Sequence, residues 1–134
     1  MKIKIASDTN ILIYLYNGEN EDKRNISELL IVDKPVISSQ VISEFLNVTK
    51  RLLKLPKIEI LQKANTLFSK CEIVCVSQKT LEDGLFLIKK YDFQLFDSLI
   101  VASALQAKCT VLYSEDLHHN LLVENQLRII NPFI

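Results

Sequence analysis

Thr110-Val111-Leu112-Tyr113-Ser114-Glu115-Asp116 is the stretch from which the fold can be read. A β-branched, an aliphatic and an aromatic residue in succession make a strand. That run stops at once on a serine and two acids. The opening of the chain has the same form, with Ile3-Lys4-Ile5-Ala6 as a strand and Ser7-Asp8-Thr9-Asn10 behind it. Pro35-Val36-Ile37-Ser38 and Ile73-Val74-Cys75-Val76 are further short strands, and Arg128-Ile129-Ile130 is a last one.

Helical periodicity fills the intervals. Ile11, Leu12, Tyr14 and Leu15 form a short helix ended by Asn17-Gly18. Residues 19–25 are polar and read as a loop into a helix through Ile26, Leu29, Leu30 and Ile31. Ser38 or Ser39 caps a helix whose apolar side carries Val41, Ile42, Phe45, Leu46 and Val48. Leu55-Pro56 breaks it, and another helix runs from about Lys57 to Lys70. Ser77 caps a helix containing Leu81, Leu85, Phe86 and Ile88, and Leu99, Ile100, Ala102, Ala104 and Leu105 make a compact apolar one. Strands alternating with helices imply an α/β architecture with a mainly parallel sheet, because parallel neighbours need long crossovers. Ligands in such sheets sit beyond the carboxyl ends of the strands, near the switch point of the strand order.

Composition narrows the function. With 134 residues, of which 49% are hydrophobic and 24% charged, the chain reads as a single domain, residues 1–134, with one real core. Lysine plus arginine and aspartate plus glutamate are 16 each, which excludes a strongly basic nucleic-acid tail but not a local basic patch. The only glycines are Gly18 and Gly84, so the glycine-rich phosphate loops are excluded. No apolar run reaches the ~18–20 residues of a membrane span. Asp8 and Asn10 interrupt the apolar stretch Met1 to Tyr16, so it reads as part of the mature fold rather than a leader. Cys71, Cys75 and Cys109 make neither a disulfide framework nor a complete zinc set; they read as small buried apolar groups in a reducing cytosol, and a cytoplasmic protein without a membrane partner is expected.

The chemistry rests on carboxylates. Asp8 and Asp116 follow strands directly, Asp97 opens the alanine-rich helix, and Glu44 lies in the first turns of the helix after the second strand. Taken singly, Asp8 and Asp97 are adequately explained as helix caps, Asp116 as a turn residue and Glu44 as a solvated acid. Taken together, the acids would meet at one edge of the sheet with no lysine or arginine in their motifs. Carboxylates so placed repel, and a hard cation such as Mg²⁺ or Mn²⁺ relieves that repulsion through oxygen ligands. Acids at a sheet edge around such an ion commonly serve phosphate chemistry.

These residues carry a resemblance. Asp8-Thr9-Asn10-Ile11-Leu12-Ile13-Tyr14, Ser43-Glu44-Phe45, Phe96-Asp97-Ser98-Leu99-Ile100-Val101-Ala102 and Ser114-Glu115-Asp116 stand in the order and at the spacing of the acidic motifs of the PIN-domain ribonucleases. Within that family the chain resembles the VapC-type toxins of toxin–antitoxin modules. The ending Asn131-Pro132-Phe133 is also similar, whereas Asn120-Leu121 stands where many relatives have a glycine. The resemblance implies a PIN-like three-layer sandwich with its parallel sheet flanked by helices. It implies an Mg²⁺- or Mn²⁺-dependent endoribonuclease in which Asp8, Glu44, Asp97 and Asp116 are metal ligands and catalytic groups, leaving 5′-phosphate and 3′-hydroxyl ends. Asn10 and Ser114 are expected to orient a carboxylate, or else to serve turns and caps. A cognate antitoxin is the implied partner, packed on the helices of residues 26–70, and a homodimer is allowed.

Lys50, Arg51, Lys54 and Lys57 form a basic run beyond Glu44, either a solvated helix face or the grip on RNA phosphates. His118 and His119 read as ordinary loop residues, Glu115 as turned away from Asp116, and Asn131-Pro132-Phe133 as a packing tail. Two rivals remain. A PIN-like module that only binds RNA or protein keeps the fold without the reaction. A receiver-type phospho-signalling domain needs an acid pair after the first strand and a phosphoacceptor after its central strand; only Asp8 follows the first, and no acid lies within or just after residues 73–76.

Overall fold

The computed structural model describes residues 3–134; Met1 and Lys2, the start of the opening apolar stretch, lie outside the described residues. The chain runs β1 (Ile5–Ser7), α1 (Thr9–Ile13), α2 (Glu21–Ile31), β2 (Val36–Ser38), α3 (Ser39–Leu53), α4 (Lys57–Phe68), β3 (Glu72–Val74), α5 (Gln78–Tyr91), α6 (Leu95–Gln106), β4 (Val111–Tyr113), β5 (Leu122–Val123) and β6 (Leu127–Ile130). The strands form one six-stranded sheet in the order β3-β2-β1-β4-β6-β5. Every pairing is parallel except β5 with β6. This is the α/β architecture the alternation implies.

β1 and β2 are buried along their length, and β4 and β6 bury Leu112, Leu127 and Ile129. Ile37, Leu112 and Ile129 from β2, β4 and β6 meet Val41 and Phe45 of α3 and Val101 and Ala102 of α6, all at most 1% exposed. Phe45 anchors an edge-on aromatic row, with ring centroids 5.3 Å from Phe68 and 5.7 Å from Tyr16. Caps set the helix starts. Ser38 Oγ accepts from Val41 N at the head of α3, and Ser77 and Thr80 form a reciprocal capping box on α5. Lys54, in the left-handed conformation, ends α3 just before Leu55-Pro56.

Four local expectations are corrected. α2 begins at Glu21, inside the expected loop, because the Asn20 side chain caps it and Glu21 and Asp22 favour its first turn; it is polar because only Ser27 is buried. In α5, Leu81, Leu85 and Phe86 are about half exposed, and Thr80, Gly84 and Leu87 face inward instead. α5 lies so close on α6 that a Cβ on Gly84 would sit 3.0 Å from Leu99 Cδ2 and 3.2 Å from Ser98 Oγ, tighter than ordinary contact. Cys75 is exposed, unlike Cys71 and Cys109. The unforeseen β5 pairs back on β6 through Glu124 and Asn125, both left-handed, a tight reversal without the usual glycine.

Candidate active site

β1 sits inside the sheet, with β2 and β3 on one side and β4, β6 and β5 on the other, so the strand order reverses beside it. Asp8 follows β1 at this point, and its backbone N–H donates to Tyr113 O at the end of β4 (2.9 Å). Ser114, Glu115 and Asp116 leave β4 alongside, Ser114 being fixed by its N–H to Ile130 O (3.0 Å). α3 springs from the end of β2 and brings Glu44. Asp97 lies in the first turn of α6; it is not the cap, a position held by Gln94.

Hydrogen bonds aim three of the four carboxylates, those of Asp8, Glu44 and Asp116. Asp8 accepts from Thr9 N (2.7 Å) and from Ser114 Oγ (2.8 Å), one on each oxygen. Ser114 Oγ in turn accepts from the N–H groups of Asp116 and Leu117 (3.2 and 3.3 Å), so one hydroxyl ties the β4 loop to the first acid. Glu44 accepts from Thr9 Oγ1 (2.6 Å) and Gln40 Nε2 (3.2 Å). Asn10 donates through Nδ2 to Asp116 (3.0 Å) and accepts through Oδ1 from Glu115 N (3.2 Å). Three consecutive residues of α1 and its cap, Asp8, Thr9 and Asn10, thus reach β4, α3 and the Asp116 loop.

Charge is uncompensated here. Asp8 is 4% exposed, and burial pushes its carboxyl up to about 6 despite the Ser114 and Thr9 hydrogen bonds, with Glu44 and Asp97 adding repulsion. Burial also raises Asp97, and Glu44 and Asp116 raise it further. Among the described residues, none of the ion pairs involves Asp8, Glu44, Asp97 or Asp116. Asp8 lies within Coulomb range of Glu44 and Asp97, and Asp97 within range of Glu44 and Asp116. They are not drawn to a point: among the described residues no three acid, histidine or cysteine side chains close into a ready ligand cage.

A family model described as PIN domain matches residues 5–122. The chain belongs to the PIN-domain family. Solved structures agree on the fold. A toxin–antitoxin complex from Klebsiella pneumoniae is similar at 22% identity and TM-score 0.72, covering 96% of this chain and 97% of that one. VapBC2 from Rickettsia felis, bound to a DNA fragment from its promoter, gives 21% identity and TM-score 0.70 over 96% of this chain and 100% of that one. VapC20 of Mycobacterium tuberculosis, a sarcin–ricin loop cleaving toxin, gives 16% and 0.67 over 84% and 92%. No curated protein sequence matches this PIN domain significantly.

The neighbours of the acids in this PIN domain sort cleanly. Glu115 points away from Asp116 into a paired cluster: Lys23 forms an ion pair with it, Tyr14 Oη donates to it (2.6 Å), and Phe133 packs edge-on against Tyr14 (5.2 Å). Burial alone would raise the Glu115 carboxyl, yet the Lys23 and Tyr14 hydrogen bonds hold it below its usual value. The C-terminal tail is a packing element, as the sequence suggests. His119 Nδ1 accepts from Asn131 N (2.9 Å) and serves that same tail. The basic run splits: Arg51 lines the cleft beside Glu44 and Asp116, Lys50 lines a separate depression with Leu55 and Lys57, and Lys54 ends the helix. Thr9, Gln40, Tyr14 and Lys23 escape the sequence reading. Only Gln40 had a signal, standing one helical turn before Glu44 on the same face.

Proposed function

We propose that this PIN domain is a divalent-metal-dependent endoribonuclease and the toxin of a toxin–antitoxin pair. The observation that carries the reading is the buried, cation-free Asp8 facing Glu44 and Asp97, with Asp116 beyond. An all-oxygen donor set of repelling carboxylates suits Mg²⁺ or Mn²⁺. When bound, such an ion activates water for attack on a phosphodiester and offsets the negative charge that builds on the phosphate and the departing oxygen. The chain's own residues do the rest. Asp8, Glu44, Asp97 and Asp116 would hold the ion, while Ser114 and Thr9 N–H fix the first carboxylate, Thr9 and Gln40 fix the second, and Asn10 fixes the last. Arg51, on the cleft wall, meets a phosphate of the substrate.

The toxin reading draws on its structural neighbours, which include a toxin–antitoxin complex and an RNA-cleaving VapC toxin. A cognate antitoxin is then the expected protein partner, and RNA the substrate. No helix of the described residues is long and apolar enough to cross a membrane. The test is incubation of the chain with structured RNA and Mn²⁺, with EDTA as control and Asp97→Asn as the variant. Cleavage that chelation and the variant both abolish supports the nuclease. RNA bound but never cut supports the binding module instead.

A further inference from the structure

We propose that the cleft between α1 and α3 is a nucleobase subsite, in which Asn47 reads the edge of an unstacked base next to the cleaved phosphate of a single-stranded RNA. The inference rests on the nuclease reading and extends it to sequence preference. The cleft has a volume of ≈ 490 Å³, within the range that takes a small organic ligand. Its α3 wall is made by Glu44, Asn47, Val48 and Arg51, which recur three, four and seven positions apart and so share one helix face. A rise of 1.5 Å per residue puts Glu44 and Arg51 about 10 Å apart along that face. The cleft therefore begins at the acids, ends at a guanidinium, and carries an amide and an apolar rung between them.

Those rungs have the chemistry of a base site. Ile13 from α1 and Val48 from α3 offer apolar contact to the faces of a planar ring. Asn47 is exposed and makes no side-chain hydrogen bond to any described residue. Asn10, on the same cleft, differs: both ends of its amide are engaged by Asp116 and Glu115 N. Asn17, in the turn beyond α1, also lines the cleft, and its oxygen accepts from Glu19 N (3.2 Å). A carboxamide presents a donor beside an acceptor, the pattern with which asparagine meets base edges. Splayed single-stranded bases are read in just this way on their Watson–Crick and Hoogsteen edges. Arg51 makes no ion pair among the described residues and stands ready for the next phosphate.

The experiment uses four short single-stranded RNAs that differ at one base beside the cut, with the full chain and its Asn47→Ala and Arg51→Ala variants. Cleavage in Mn²⁺ gives kcat/KM, and fluorescence anisotropy in EDTA gives binding. Alanine is well tolerated on an exposed helix face, and circular dichroism checks the fold of each variant. The wild type is expected to prefer one base about tenfold or more, and Asn47→Ala to erase that preference. Arg51→Ala should weaken all four substrates alike and reduce the salt slope by about one. A wild type without base preference overturns the proposal. So does an Asn47→Ala effect equal for all four RNAs, or one felt only in affinity for a cognate antitoxin. Cleavage without a role for Asn47 sinks the subsite and leaves the nuclease; base-dependent binding that needs Asn47, without any cleavage, does the reverse.

Discussion

Asp116 and Glu115 are adjacent acids on one loop, and they meet opposite fates. Glu115 turns into a cluster where Lys23 and Tyr14 hold it below its usual pKa and Phe133 packs edge-on against Tyr14. Asp116 turns towards Asp97, which its charge helps to raise, and its partner Asn10 is neutral. The bend that follows β4 carries the two side chains to different neighbourhoods. One neighbourhood carries its own cation and is complete as folded. The other concentrates negative charge around buried Asp8, and no ion pair among the described residues neutralises it. The difference between a structural acid and a candidate catalytic one is thus not the residue type or its exposure but whether the protein supplies the counter-charge.

The sharpest way to break this comparison is to neutralise one acid from each side. If Asp97 is a metal ligand as proposed, Asp97→Asn should lower metal-dependent RNA cleavage by at least about a hundredfold, because several kcal/mol of charge stabilisation would depend on that ion. Glu115→Gln should leave cleavage within a small factor. Equal losses in initial-rate measurements would erase the distinction.

Acid titration of stability comes next, and the two regions should slope in opposite directions. Asp8 binds its proton more tightly when folded, at about 6 against an ordinary 3.8. Its contribution is fully present below the unfolded value and is lost as pH rises past the folded one, so in chelator it should remove about 3 kcal/mol across that window. Glu115, lowered from 4.5, contributes above its unfolded value and loses that contribution as pH falls. Urea unfolding of the wild type and of Asp8→Asn, followed from acid to neutral pH without metal, isolates the first slope. A variant with the wild-type slope would show that Asp8 is not the group responsible.

Removing a positioning hydroxyl should do less. Ser114→Ala leaves Asp8 with one hydrogen bond and frees the Asp116 and Leu117 N–H groups from their shared acceptor. A loss of about ten- to a hundredfold in Mn²⁺ affinity is expected, as for other residues that orient a ligand, and calorimetric titration reads it. The smallest effect belongs to Lys23→Ala. The pair it breaks is partly solvated, so a modest fall in Tm is expected with no change in the Mn²⁺-induced rise in Tm. A Lys23→Ala variant that loses the metal response would join the two regions into one functional unit.

Much of this is legible in the sequence. The acids follow strands or open helices, and a strand is recognisable from a few β-branched residues, so Asp8 and Asp116 could be assigned to one sheet edge from order and spacing. The burial of α5 was not legible. Leu81, Leu85 and Phe86 look like a core face, but the approach of α6 at Gly84 selects the small face instead, and that approach is a tertiary fact. β5 was missed for a similar reason: Glu124 and Asn125 carry no strong turn signal, and β6 holds the strand in place by pairing.

The amino-acid sequence by itself determined the alternation of strands and helices, the family to which the chain belongs, and which acids stand at element ends, because these depend on local pattern and on motif order. Only the tertiary structure decided which carboxylates share a neighbourhood, that Thr9, Gln40 and Ser114 aim them, that Lys23 goes to Glu115 rather than Asp116, and that Arg51 alone of its basic run reaches the cleft. Hydrogen bonds and Coulomb forces act over a few ångströms in space, whatever the distance along the chain, and a linear string records only the latter.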